Sequence, residues 1–126
     1  MNVPDHLRFL ESHEWVDVSD REAFKIGISD HAQAELTDIV YLELPKVGRT
    51  VKKGEPIAVI ESVKAANDIY APVSGVITAV NDPLGEAPEA VNKDPYGAGW
   101  MFVIKPSNPS EADALMDAAA YREHIS

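Results

Sequence analysis

The stretch Ile60-Glu61-Ser62-Val63-Lys64-Ala65-Ala66-Asn67-Asp68-Ile69-Tyr70 decides how this chain is read. Before it, Pro56 opens the apolar run Ile57-Ala58-Val59-Ile60, short enough for a buried strand. After it come Ile69 to Val73, the turn pair Ser74-Gly75, and a second β-prone run from Val76 to Val80. A lysine among small and polar residues between strand-like runs is expected at a hairpin tip, within a hairpin spanning about residues 57–80. Lysines in polar turns are ordinarily solvated charges. Lys64 stands out because it is presented on a protrusion with small neighbours, in a chain lacking a conventional active site.

Working outward, the surrounding sequence is dense in short strands. Phe24, Ile26 and Ile28 alternate with Lys25 and Gly27, the period-two pattern of a half-buried strand. Ser29-Asp30 offers an N-cap, Asp30 and Gln33 have capping-box spacing, and a short helix is expected over 30–36. Ile39 to Leu44 returns to strand and stops at Pro45. Trp100 to Ile104 is a strongly apolar strand, and residues 110–124 carry a mixed stripe at helical spacing behind Ser110 as cap. Trp15 is expected as a large apolar anchor, with Met116 and Tyr121 as core contacts. A weak echo relates Gly48 to Ile57 with Pro72 to Val76, as two similar β units with Lys64 between them. Short strands punctuated by Gly and Pro point to a mainly β sandwich or barrel, forming one domain over 1–126.

Composition removes whole classes of function. The formal charge of -10 disfavours nucleic acid and anionic membranes, though it would steer the chain towards basic mouths of partner proteins. No run approaches the ~20 apolar residues of a membrane span, and the N-terminal residues show no leader pattern. A cytoplasmic protein of a prokaryote is the simplest expectation, a mature mitochondrial form the alternative. His6, His13, His31 and His124 lack ligand spacing, so no metal site is expected. There is no Gly-x-Ser-x-Gly elbow and no Gly-Lys-Ser/Thr phosphate loop. With no cysteine, any thiol chemistry must come from an attached group. The balance shifts to a carrier, in which a modified lysine on a rigid turn brings a tethered group to successive partners.

Glu61-Ser62-Val63-Lys64-Ala65 with Asp68-Ile69-Tyr70-Ala71-Pro72-Val73-Ser74-Gly75 closely resembles the lipoylation segment of glycine cleavage system H proteins. The likeness extends through His13-Glu14-Trp15, Gly27-Ile28, His31-Ala32-Gln33, Asp38-Ile39-Val40, Leu44 to Gly48, Val91-Asn92 and Pro95-Tyr96-Gly97. It implies a barrel-sandwich hybrid of the lipoyl and biotinyl carrier type, with lipoate in amide linkage to Lys64. It also implies the partners: a pyridoxal-phosphate-dependent glycine decarboxylase, a tetrahydrofolate-dependent aminomethyltransferase, dihydrolipoamide dehydrogenase and the lipoylation enzymes, met by a monomeric, non-catalytic carrier. Glu61, Val63 and Ala65 become the expected recognition residues of the hairpin. Glu14, His31 and Asp68 become candidates for a cleft that shelters the loaded arm from water. Two positions depart from the family pattern. Thr37 stands where Gly is usual before Asp38, which would strain the helix exit if the backbone there needs a positive φ. Ala98 stands where an acidic residue is frequent. Three readings compete: a biotin carrier, disfavoured because Val63 and Ala65 rather than methionines flank the lysine; an H-like protein relaying lipoate to other proteins; and an unmodified interaction module.

Overall fold

The computed structural model describes residues 2–126. The alternating patterns become antiparallel strands: β1 (Arg8–Phe9), β2 (Glu14–Asp17), β3 (Phe24–Ile28), β4 (Ile39–Glu43), β5 (Thr50–Val51), β6 (Pro56–Ser62), β7 (Ala66–Tyr70), β8 (Gly75–Val80) and β9 (Phe102–Pro106). One sheet has six strands in the order β1-β2-β3-β9-β8-β5, the other three in the order β4-β6-β7. They face each other without closing into a single barrel, as a mainly β sandwich of the lipoyl-domain kind. Inward-facing Ile26 and Phe24 of β3, Ile57 and Ile60 of β6, Ile69 of β7 and Ile104 of β9 fill the space between them. Burying such side chains contributes roughly 1.5–3 kcal/mol each, and this burial is what holds the two sheets together.

The helix α1 (Asp30–Leu36) occupies the expected residues. Ser29 Oγ accepts the Ala32 N–H at 3.1 Å, and Gln33 Nε2 donates to Asp30 Oδ1 at 2.7 Å. It ends at Thr37, whose φ of 63° and ψ of -146° lie close to a region that glycine alone occupies at ease. The departure from the family pattern therefore falls on a position that does need a positive φ.

Three expectations change. The strand that pairs with β6 across the Lys64 turn is β7, while Val76 to Val80 crosses to the six-stranded sheet as β8. The apolar run at 100–104 is a strand only from Phe102 and runs on to Pro106, because Trp100 O and Met101 N bond Asn81 and Ile26 outside the ladder. The C-terminal segment is not one helix over 110–124. A 3₁₀ segment, Pro109–Ala114, is capped by Asn108 rather than Ser110. The chain then extends so that Met116 exchanges both backbone bonds with Phe9, at 2.8 and 3.0 Å, satisfying the edge of β1. Asp117 starts α3 (Ala118–Ile125) by accepting the Ala120 N–H. Both β1 and α3 belong to a second apolar cluster, where Phe9 stacks on Tyr121 with centroids 4.3 Å apart and Trp15 is fully buried. Trp15 lies over Gly27, its register partner; a Cβ there would come 2.7 Å from the indole, so only glycine admits the ring.

Candidate functional site

The hairpin β6–β7 projects Lys64 from the three-stranded sheet. Its turn is organised by a buried serine: Ser62 Oγ accepts N–H groups from Lys64 at 3.3 Å and Ala65 at 3.1 Å, and Ser62 N donates to Ala65 O at 2.8 Å. Val63, Lys64, Ala65 and Ala66 are all exposed, Val63 at 67%. The tip thus offers a lysine with an ordered backbone and small neighbours, which is what an enzyme acylating its amine must find. Glu61 lies one step below, paired with Tyr41 of β4 and Ala66 of β7. A backbone bond ties the tip outward, from Val63 N to Asp38 O at 3.1 Å.

Beside the hairpin lies a cleft of about 420 Å³. Ile28, Ala32 and Leu36 form one apolar wall, Ile60 and Ile69 the other, and Lys64 and Asp68 stand on its hairpin side. Ser12, His13, Glu35, Asn67 and Tyr70 add polar groups to the lining. Of the candidate cleft residues, Asp68 is exposed and lines it together with Lys64. Glu14 is wholly buried behind the lining: its carboxylate accepts the Tyr70 N–H at 2.7 Å and the Ser12 hydroxyl at 2.5 Å. Burial pushes its carboxyl up from the usual range, while those hydrogen bonds pull the other way. Glu14 is thereby a clamp that holds the end of β7 onto β2. His31 lies outside the lining, with Nε2 2.5 Å from Glu35 Oε1 and its ring 4.9 Å from that of His13.

Sequence reasoning passed over His13, Ser62 and Asn92 as site residues. His13 has a φ of 79°, and Nδ1 sits 2.8 Å from Tyr121 Oη, which is 2.6 Å from Ser29 Oγ. Burial, then the charge of His31, lowers the His13 pKa from 6.5. Burial pushes the Tyr121 phenol up to about 12, so it stays neutral. The Ser62 turn carried a legible signal, a serine shortly before a tip of small residues. Asn92 was visible only as part of the Val91-Asn92 likeness and not as a support for the helix exit, since its partners lie 53, 55 and 59 residues away. Among the described residues no cluster of His, Asp and Glu could hold a metal ion, and no helix is long and apolar enough to cross a membrane.

A two-sheet sandwich that holds an exposed lysine at a hairpin tip beside a partly apolar cleft has the form of a carrier domain of the lipoyl type. The chain matches the family model for the glycine cleavage H-protein over residues 7–126. It is 54% identical over 123 residues to the glycine cleavage system H protein of Stenotrophomonas maltophilia (strain R551-3), covering 98% of this chain and 94% of that one. It is 50% identical over 125 residues to the protein of that name from Anaeromyxobacter sp. (strain K), covering 99% and 97%. The crystal structure of a glycine cleavage system H protein from Mycobacterium marinum superposes with a TM-score of 0.89 at 33% identity, covering 96% and 97%. The chain belongs to the glycine cleavage H-protein family, and is a carrier component rather than a catalyst.

Proposed function

We propose that this chain, acting as one carrier domain, bears lipoate in amide linkage on Lys64 and shuttles the aminomethyl group of glycine between enzymes of the glycine cleavage system. The observation that carries the reading is the presentation of Lys64: exposed, on an ordered turn, at the rim of a cleft with apolar walls and a polar margin. Held on Lys64, lipoate would supply a disulfide able to take up the aminomethyl group as one sulfur is reduced, and a dithiol, left once that group is passed on, for dihydrolipoamide dehydrogenase to reoxidise. The residues present fit such a group. Ile28, Leu36, Ile60 and Ile69 suit an aliphatic chain, and the chain's own lack of cysteine leaves no competing thiol. Asp68 would offer its carboxylate to an amine carried into the cleft on the arm, and the isoleucines and Leu36 would cover part of the arm from water. Val63 and Ala65 leave the amine open to the lipoylating enzyme, and Glu61 offers it a charge below the tip.

The test is intact mass of the chain from a lipoylating host, followed by glycine–bicarbonate exchange with the decarboxylase. A lipoyl increment that Lys64→Arg removes without loss of fold, with exchange restored by the parent alone, is the expected result. A lipoylated K64R chain would refute the site. A biotinyl increment would support the biotin carrier, and a lipoylated parent with background exchange would support the lipoyl-relay reading.

A further inference from the structure

The backbone at Thr37 is held in a costly conformation, and the residue holding it sits far away in sequence. Asn92, on the short helix α2 (Ala90–Lys93), is anchored by its buried neighbour Val91. Its side chain accepts the Ile39 N–H at 2.9 Å and donates to Thr37 O at 2.7 Å and Gln33 Oε1 at 3.1 Å. Those bonds bracket Asp38, whose carbonyl receives the Val63 N–H and so ties the lysine turn to a segment beyond its own hairpin. A threonine at φ 63° and ψ -146° costs about 1–3 kcal/mol. Relaxing Thr37 would rotate its own carbonyl off Asn92, and the Asp38 carbonyl, in the same peptide as the Ile39 N–H that Asn92 accepts, would shift from Val63 with it.

We propose that Asn92 is a positioning residue for Lys64, holding the strained Thr37–Ile39 exit so that the Asp38 carbonyl fixes the orientation of the turn. The inference rests on Lys64 being the lipoylated residue. During acylation by lipoyl adenylate, the Lys64 amine forms the amide, loses its proton to solvent, and AMP leaves from the lipoyl carbonyl. Asn92 touches none of these atoms. Its effect is on the fraction of molecules whose tip is correctly set. A binding partner's apparent affinity falls in proportion to that fraction, so KM moves and kcat does not.

The test uses the full-length, unmodified chain. Hydrogen exchange at the Val63 amide is measured for the parent, Asn92→Ala, Thr37→Gly and the double variant, and lipoylation kinetics with a lipoate–protein ligase, lipoate and ATP. Asn92→Ala is expected to speed Val63 exchange about tenfold, the loss of roughly one hydrogen bond's worth of hold. It is also expected to raise KM several-fold at unchanged kcat. Because glycine adopts the Thr37 conformation freely, Thr37→Gly in the Asn92→Ala background should return both values towards the parent. Should Asn92→Ala fold poorly, Asn92→Asp keeps the acceptor for Ile39 and removes both donations, and the same comparison applies. Val63 exchange within twofold of the parent, or no recovery in the double variant, overturns the proposal. Exchange is read without lipoate, so a failure here is distinguishable from a failure of Lys64 as the modified residue.

Discussion

The lysine tip and the seam beneath α3 are built in opposite ways. At the tip, residues 63–66 bury nothing, and order comes from the hydroxyl of Ser62, the β6–β7 ladder and the bond to Asp38. At the seam, Phe9, Trp15 and Tyr121 are almost wholly buried, and Tyr121 Oη joins His13 to Ser29. The difference separates presentation from support. In the role proposed for Lys64, its neighbours must be too small to obstruct an enzyme, so its rigidity has to come from backbone bonds. The scaffold has no such constraint and uses large side chains.

The largest test of that contrast is Trp15→Ala, which removes the seam's main apolar body and its hydrogen bond to Pro95 O. It is expected to cost about 3–5 kcal/mol in chemical denaturation, whereas Val63→Ser at the tip should stay within about 0.5 kcal/mol. Equal losses would break the comparison. Tyr121→Phe keeps the ring stacked on Phe9 and leaves His13 Nδ1 and Ser29 Oγ without that partner; about 1–2 kcal/mol should be lost in the same measurement. Thr37→Gly should gain about 1 kcal/mol, since relief of strain outweighs the greater entropy glycine loses on folding. A loss of stability there would show that the threonine conformation is not strained.

Two smaller effects concern pH and have opposite signs. Burial raises the Glu14 carboxyl above its ordinary value of 4.5, so its stabilisation is fully present below that value and fades as pH rises through the folded pKa. Glu14→Gln, uncharged throughout, should gain a few degrees in Tm over the parent at about pH 8 relative to about pH 4, as melting curves would show. The His13 pKa is lowered by burial and then by His31, with His124 adding to the effect. Its stabilisation is therefore present above 6.5 and lost as pH falls through the lower folded value. Exposed His124→Gln should raise the His13 midpoint in an NMR titration. An unchanged midpoint would mean that the two rings do not interact.

Local patterning made much of this legible. The alternation of Phe24, Ile26 and Ile28, the Ser29 cap and the small residues around Lys64 each state their structure within a few positions, because side-chain period and turn chemistry are local properties. Glu14 was legible as a residue of interest but not as a buried clamp, since its partner Tyr70 lies 56 residues on. The C-terminal stripe misled for a similar reason. Residues 110–124 have helical spacing, yet the unpaired edge of β1 draws Met116 into extended backbone, and helix resumes only after Asp117.

By itself the sequence determined the strands at Phe24–Ile28 and Ile39–Glu43, the apolar arm of the lysine hairpin, the first helix, the exposed lysine and the absence of thiols, all consequences of short-range chemistry. Tertiary structure alone decided which strand pairs with β6 across the turn, that Glu14 clamps the end of β7 onto β2, and that Asn92 reaches back to the strained exit at Thr37. Those depend on pairing backbone groups and burying side chains across long stretches of chain, which no local pattern encodes.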